Sequence, residues 1–314
     1  MNVVFRRLVS LMIVVIFAAL MLAVQAAPLL PTMGAVSYAA SMIGGTVEIH
    51  IMDVQTRVNH VLLKRPVEFQ VDWSPDGRTL AYMPSPEGVI YTYDIFTQEN
   101  APVRNGEFFT DHITWSPNGD WLMFSTGAEI WAYNASTDTT ARLHNPGDVT
   151  LLDWSPDGRY VVYTSRRRMD EGLYLLDLET RVDTLLKETE PDEFGVFAPS
   201  FSPDGCCIAY TVNGQTGFRS YRMNLRTQEI TPIAPELNSS TPVYSPDGRF
   251  IALRGSPPAA QGFDIYMVHL ASGRHRRLTN GPYNYSFPRW MPTYSGEQEL
   301  PPPPDPWPLR GESR

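Results

Sequence analysis

The sequence predicts an all-β protein: a six-bladed β-propeller with four-stranded blades, its ring closed by a C-terminal strand that completes the N-terminal blade. Three observations predict it. One five-residue turn is written again and again at a near-constant period. The stretches between its copies hold short β-rich runs and no convincing 3.6-residue periodicity. The two ends of the repeated region are fragments that complete one another.

The turn reads Trp73-Ser74-Pro75-Asp76-Gly77, Trp115-Ser116-Pro117-Asn118-Gly119, Trp154-Ser155-Pro156-Asp157-Gly158, Phe201-Ser202-Pro203-Asp204-Gly205 and Tyr244-Ser245-Pro246-Asp247-Gly248. A degraded sixth copy is Trp290-Met291-Pro292. The prolines advance by 42, 39, 47, 43 and 46 residues, the spacing of propeller blades. Pro fixes φ at the first central position of a type I turn. Asp or Asn tolerates the bridge region next, and Gly takes the left-handed position after it. The leading Ser can cap free N–H groups of the turn. An aromatic-ended strand therefore enters a tight hairpin and a second strand leaves it.

Each turn is followed by a second strand, as in Thr79 to Tyr82, Tyr160 to Tyr163 and Ile208 to Thr211. A third strand comes after a loop, at Val89 to Asp94, Glu129 to Asn134, Leu173 to Asp177 and Asp264 to Val268. A weaker fourth strand follows, for example Arg274 to Leu278. Residues 34–64 lack a first strand: Val36 to Ala40 matches a second strand, Thr46 to Asp53 a third and Arg57 to Leu63 a fourth. Ser286 to Pro292 is a first strand with no blade after it. Joining the two fragments makes the sixth blade and leaves only short, protected edges.

Residues 1–26 read as a secretory signal peptide. Arg6 and Arg7 form its positive start, Leu8 to Val24 is apolar apart from Ser10, and Val24-Gln25-Ala26 suits cleavage before Ala27. The apolar run of 17 residues is also barely long enough to span a bilayer, so an uncleaved membrane anchor is the alternative. Either way the propeller, 34–293, is expected outside the cytoplasm, in the periplasm or on the extracellular side of the membrane. Residues 297–314, with Pro301-Pro302-Pro303-Pro304, read as a Pro-rich disordered tail. Removing Arg6 and Arg7 takes the formal charge from -9 to -11, which argues against nucleic acid and anionic membrane surfaces as partners.

The Ser-Pro-Asp-Gly turns, the aromatic before them, the apolar-Ala-Tyr strand after them and the Ile-Tyr-x-x-Asp strand together resemble the repeats of the TolB family. That resemblance covers residues 34 to about 293. It implies a bacterial periplasmic six-bladed propeller that binds protein partners. The α/β domain that precedes the propeller in that family has no counterpart expected between residues 27 and 34, so its partner set is not carried over. Similar repeats occur in the propellers of prolyl-oligopeptidase-type enzymes and oligogalacturonate lyases, so the repeat implies fold rather than chemistry.

Signatures of catalysis are scarce. A Gly-x-Ser-x-Gly elbow is absent, as is the Asp-x-Asp-x-Asp-Gly calcium loop, and the six histidines (50, 60, 112, 144, 269 and 275) form no His-x-x-x-His pair. No cofactor or metal is expected. Cys206 and Cys207 are placed on a second strand, where neighbours point to opposite faces and a bridge between them would be strained, and read as small buried hydrophobes, with a redox role as the alternative. Arg166-Arg167-Arg168 and Arg274-His275-Arg276-Arg277 read as solvated segments.

The motif aromatics are bulky in every copy and are expected to form the core between blades. The position just before them reads Asp72, Thr114, Asp153, Ser200, Val243 and Arg289, polar in all but one. Because the innermost strand lines the central channel, Asp72, Thr114, Asp153, Ser200 and Arg289 are the binding candidates at its mouth. His112, just ahead of one motif copy, joins them. The function expected is a non-catalytic, extracytoplasmic propeller that binds a protein or peptide through the channel mouth or one face. The alternative is a propeller enzyme acting on a carbohydrate or peptide from within the channel.

Overall fold

A computed structural model describes residues 34–41, 47–65, 67–84, 89–103, 112–134, 136–166, 171–258, 260 and 262–292. The expected leader at 1–26 and tail at 297–314 lie outside the described residues, as do Arg167 and Arg168.

The described chain is all β, in six antiparallel sheets of four strands. Blade 1 holds β4 (Val67–Trp73), β5 (Thr79–Pro84), β6 (Tyr91–Asp94) and β7 (Asn100–Pro102). Blade 2 holds β8 (Ile113–Trp115), β9 (Trp121–Ser125), β10 (Ile130–Asn134) and β11 (Thr139–His144). Blade 3 holds β12 (Val149–Trp154), β13 (Tyr160–Arg166), β14 (Glu171–Asp177) and β15 (Val182–Glu188). Blade 4 holds β16 (Glu193–Phe201), β17 (Cys207–Gly214), β18 (Gly217–Asn224) and β19 (Ile230–Ile233). Blade 5 holds β20 (Asn238–Tyr244), β21 (Phe250–Ser256), β22 (Asp264–His269) and β23 (His275–Arg277). Blade 6 joins the two ends of the repeat region: β24 (Asn284–Trp290) pairs with β1 (Ala35–Ser41), and β2 (Val47–Asp53) and β3 (Asn59–Arg65) follow. The innermost strands β4, β8, β12, β16, β20 and β24 each touch the next, and β24 touches β4, which closes the ring.

Turn chemistry sets the register. Trp73 faces Leu80, Trp115 faces Leu122, Trp154 faces Val161, Phe201 faces Ile208 and Tyr244 faces Ile251, the same offset each time. In each turn the Ser Oγ accepts the N–H that opens the outgoing strand, from Thr79 at 2.8 Å, Trp121 at 2.9 Å, Tyr160 at 2.8 Å, Cys207 at 2.9 Å and Phe250 at 2.9 Å. Gly77, Gly119, Gly158, Gly205 and Gly248 hold φ between 67° and 76°, where a side chain would be strained.

A second device recurs at the end of most third strands. Asp53, Asp94, Asn134, Asp177 and Asn224 each accept two backbone N–H groups through one side-chain oxygen, which bends the chain into the fourth strand. Four residues on, the left-handed position falls to Arg57, Gln98, Asp138, Arg181 and Gln228.

Six buried apolar clusters hold the ring, each drawing on two adjacent blades. Met123 and Ile130 of blade 2, for instance, pack with Val161, Tyr163 and Tyr174 of blade 3. Every motif aromatic belongs to one of these seams, with Trp73, Phe201, Tyr244 and Trp290 buried and Trp115 and Trp154 partly buried. Burying such a ring removes about 150–250 Å² from water, which makes the seams the main source of cohesion between blades.

The two cysteines correct the sequence reading. β17 starts at Cys207, so Cys206 still belongs to the turn and strand alternation does not separate the pair. Their Sγ atoms converge to 2.9 Å, with Cys207 buried and Cys206 exposed.

Candidate functional site

In five of the six blades the residue ahead of the motif aromatic follows an irregularity in the innermost strand or its ladder; β8 of blade 2 shows none among the described residues. Ladder register slips between Phe197 and Ser200 in β16 and between Ser240 and Val243 in β20. Ala198, Thr241 and Phe287 take φ of 47°, 50° and 50°, each two residues before the position in question. Such bulges re-aim the side chains that follow them. Asp72, Thr114, Asp153, Ser200, Val243 and Arg289 line one cavity of about 230 Å³, one residue from each blade. His112 does not line it; it is 3% exposed at the entrance to β8.

The two acids do more than face the opening. Asp72 Oδ2 accepts the Trp115 N–H at 2.8 Å and the Thr114 hydroxyl at 3.0 Å, tying blade 1 to blade 2. Asp153 Oδ2 accepts the Phe201 N–H at 2.8 Å, tying blade 3 to blade 4. Arg289 Nε stands 3.7 Å from Asp72 Oδ1 across the seam between blades 6 and 1. The same seam carries a bond from Trp73 Nε1 to Ser37 Oγ at 2.9 Å.

Burial pushes the Asp72 carboxyl above its ordinary value although Arg289, Trp115 and Thr114 pull the other way. Asp153 is pushed up to about 7, first by burial and further by the charge of Asp72, against the Phe201 N–H. Burial, then the Arg289 charge, holds the His112 imidazole well below its usual range, so it stays neutral. The cavity is lined by two acids and one guanidinium, and Asp72 is the acid paired with it. The arrangement favours a ligand that brings positive charge or several hydrogen-bond donors, such as an amine or a guanidinium.

The other histidines are spread around the fold. His50 contacts Glu48 and Asn59 at 3.0 Å each, His269 contacts Ser272 at 2.9 Å, and His275 contacts Glu236 at 2.7 Å. Among the described residues no group of three or more His, Cys, Asp or Glu is placed to hold a metal ion.

Sequence reasoning brought the six tier positions together but missed their seam bonds and two further clusters. Arg254 lies over the Phe263 ring at 3.4 Å, and Arg222 Nη2 reaches Cys207 Sγ at 3.1 Å. An acid directly ahead of the motif aromatic, present in blades 1 and 3, was the signal for the seam bonds.

No protein-family model matches the chain. The Tol-Pal system protein TolB of Francisella tularensis subsp. mediasiatica is 25% identical over 267 residues, covering 79% of this chain and 60% of that protein. The chain thus spans 52–60% of the length of the first curated relatives it matches. Among solved structures, TolB from Acinetobacter baumannii superposes with a TM-score of 0.71 at 19% identity, over 82% of this chain and 66% of that one. A putative TolB from Agrobacterium tumefaciens gives 0.69 at 20% identity, over 79% of this chain and 95% of that one. In its repeats and its closed ring of six blades, the described part of this chain is a six-bladed β-propeller similar to the propellers of TolB proteins.

Proposed function

We propose that this chain is a non-catalytic, extracytoplasmic propeller that holds a protein or peptide partner at the channel mouth. The observation that carries the reading is the cavity lined by one equivalent residue from every blade, with Asp72 and Asp153 facing a single Arg289. Similarity to proteins named for the Tol-Pal system supports a protein partner, and the apolar leader supports export. The partner segment that fits carries a Lys, an Arg or a free amino terminus, since the tier has acceptors in excess of cations. Thr114 and Ser200 would add uncharged contacts, with His112 a buried, neutral neighbour at the entrance to β8.

The test uses the mature chain, expected to start at Ala27, as bait against the native cell envelope. Partners retained are then titrated against the Asp72→Ala/Asp153→Ala/Arg289→Ala variant. Folding of the variant is checked by its circular dichroism. A loss of affinity of at least about tenfold, roughly 1.4 kcal/mol, is expected. Full binding by the folded triple variant would move the partner to the outer loops. An intact mass that retains residues 1–26 would make the leader an anchor.

A further inference from the structure

We propose that Cys206 and Cys207 form a thiol–disulfide exchange site, entered at Cys206 and closed by Cys207 into a bridge between adjacent residues. The substrate class is a small or protein-borne disulfide.

Four observations support it. The sulfurs lie 2.9 Å apart, so little motion separates the dithiol from the bridge. Cys206 is exposed and stands on the wall of a groove of about 880 Å³ between blades 3 and 4, beside Tyr160, Leu175, Phe201 and Leu225. A disulfide can therefore reach it. Cys207 is buried and receives a hydrogen bond from Arg222 Nη2 at 3.1 Å, so a negative charge on its sulfur meets a guanidinium. The Nε of the same Arg222 is buried with no hydrogen-bond partner.

The chemistry balances in two exchanges. The Cys206 S–H, which points at Asp204 Oδ2 at 3.3 Å, gives its proton through that carboxylate to water. The thiolate attacks the incoming disulfide R–S–S–R, forms a mixed disulfide and expels R–S⁻. Cys207, losing its own proton, then attacks the Cys206 sulfur and expels the second R–S⁻. Two thiols of the chain are oxidised by two electrons, and the two R–S⁻ leave as thiols once protonated. Burial, then the Cys207 sulfur and Asp204, push the Cys206 thiol up to about 11, so entry runs through a small thiolate fraction and accelerates with pH. Consecutive Cα atoms are about 3.8 Å apart, shorter than the roughly 4.4–6.8 Å of ordinary bridges, which strains the product and makes it easy to reduce. The site suits reversible oxidation rather than permanent stapling.

The experiment incubates the full chain with oxidised glutathione, quenches with acid, and reads intact mass after alkylation with iodoacetamide in denaturant. The oxidised chain should be lighter by two hydrogens and take no label, and dithiothreitol should restore two labels. Cys207→Ser should keep one glutathione on Cys206, whereas Cys206→Ser should keep none. The wild-type mixed disulfide should decay roughly tenfold faster in the folded chain than in urea, because the fold holds the reacting sulfurs together. Two labels after oxidation, a lasting glutathione adduct on the wild type, disulfide-linked dimers, or equal decay in urea would each overturn the proposal.

Discussion

Asp153 Oδ2 accepts the backbone N–H of Phe201 at 2.8 Å, a bond that spans 48 residues of chain and one blade boundary. A carboxylate rather than an amide at this position makes the seam sensitive to protonation. The carboxyl is pushed up to about 7 in the folded chain, above the ordinary value of about 3.9 for an unfolded Asp. The folded state therefore holds this proton more tightly. The contribution is fully present below about pH 4 and drains away as pH rises towards 7. Asp153→Asn keeps an acceptor but cannot ionise, so the fall in Tm between those limits should be shallower than in the wild type. Parallel Tm curves would mean that Asp153 titrates as an ordinary acid.

The glycine of the blade 3 turn isolates the backbone part of the motif. Gly158 has φ of 74°, and nothing lies within 4 Å of a Cβ placed there. Gly158→Ala should then cost only the left-handed backbone strain, about 1–2 kcal/mol, read from denaturant melts. A neutral result would show that the turn relaxes to another type.

Its serine isolates the hydrogen bonds. Ser155 Oγ accepts the Tyr160 N–H at 2.8 Å and donates to Asp157 Oδ1 at 2.5 Å. Ser155→Ala leaves that N–H without its acceptor and should destabilise by about 1–3 kcal/mol. Ser155→Thr, which retains the hydroxyl, should recover part of the loss in the same melt.

Trp73 tests the seam between blades 6 and 1. It is 3% exposed, and its Nε1 donates to Ser37 Oγ. Trp73→Ala should cost about 3–5 kcal/mol through the void it leaves. Trp73→Phe should cost less, losing the hydrogen bond while filling most of the volume. Equal Tm values for Trp73→Ala and the wild type would refute the assignment of this ring to the core.

The blades were legible because their instructions are local. Ser-Pro-Asp-Gly, with Asn for Asp in one copy, contains its own φ values, its own cap and its own register, so five copies state five hairpins without reference to anything distant. Closure was legible because a blade lacking its first strand stands at one end and a first strand lacking its blade at the other. The tier was legible as a position but not as a structure. The acceptor role of Asp72 depends on Trp115, 43 residues away, so the acid ahead of the motif aromatic marks the position without naming its partner. The left-handed turns at Ala198, Thr241 and Phe287 fall on residues without a preference for that region and are imposed by the ladder around them. For Cys206 the error was one residue in a strand boundary, enough to change two diverging side chains into a touching pair.

The pairing of Ser37 with Arg289 has a kinetic side. Its partners are separated by 252 residues, so the last blade cannot assemble until almost the whole propeller sequence is available. Contacts between such distant segments form late and slowly. While the chain is being made, β1 waits with an open edge from the start of synthesis until β24 arrives. The interval before that arrival is when the protein is most exposed to mispairing and to proteases. Truncating the chain before Asn284 would make the interval permanent, and the expected result is aggregation or degradation. Removing only 297–314 should leave the refolding rate and yield as they were.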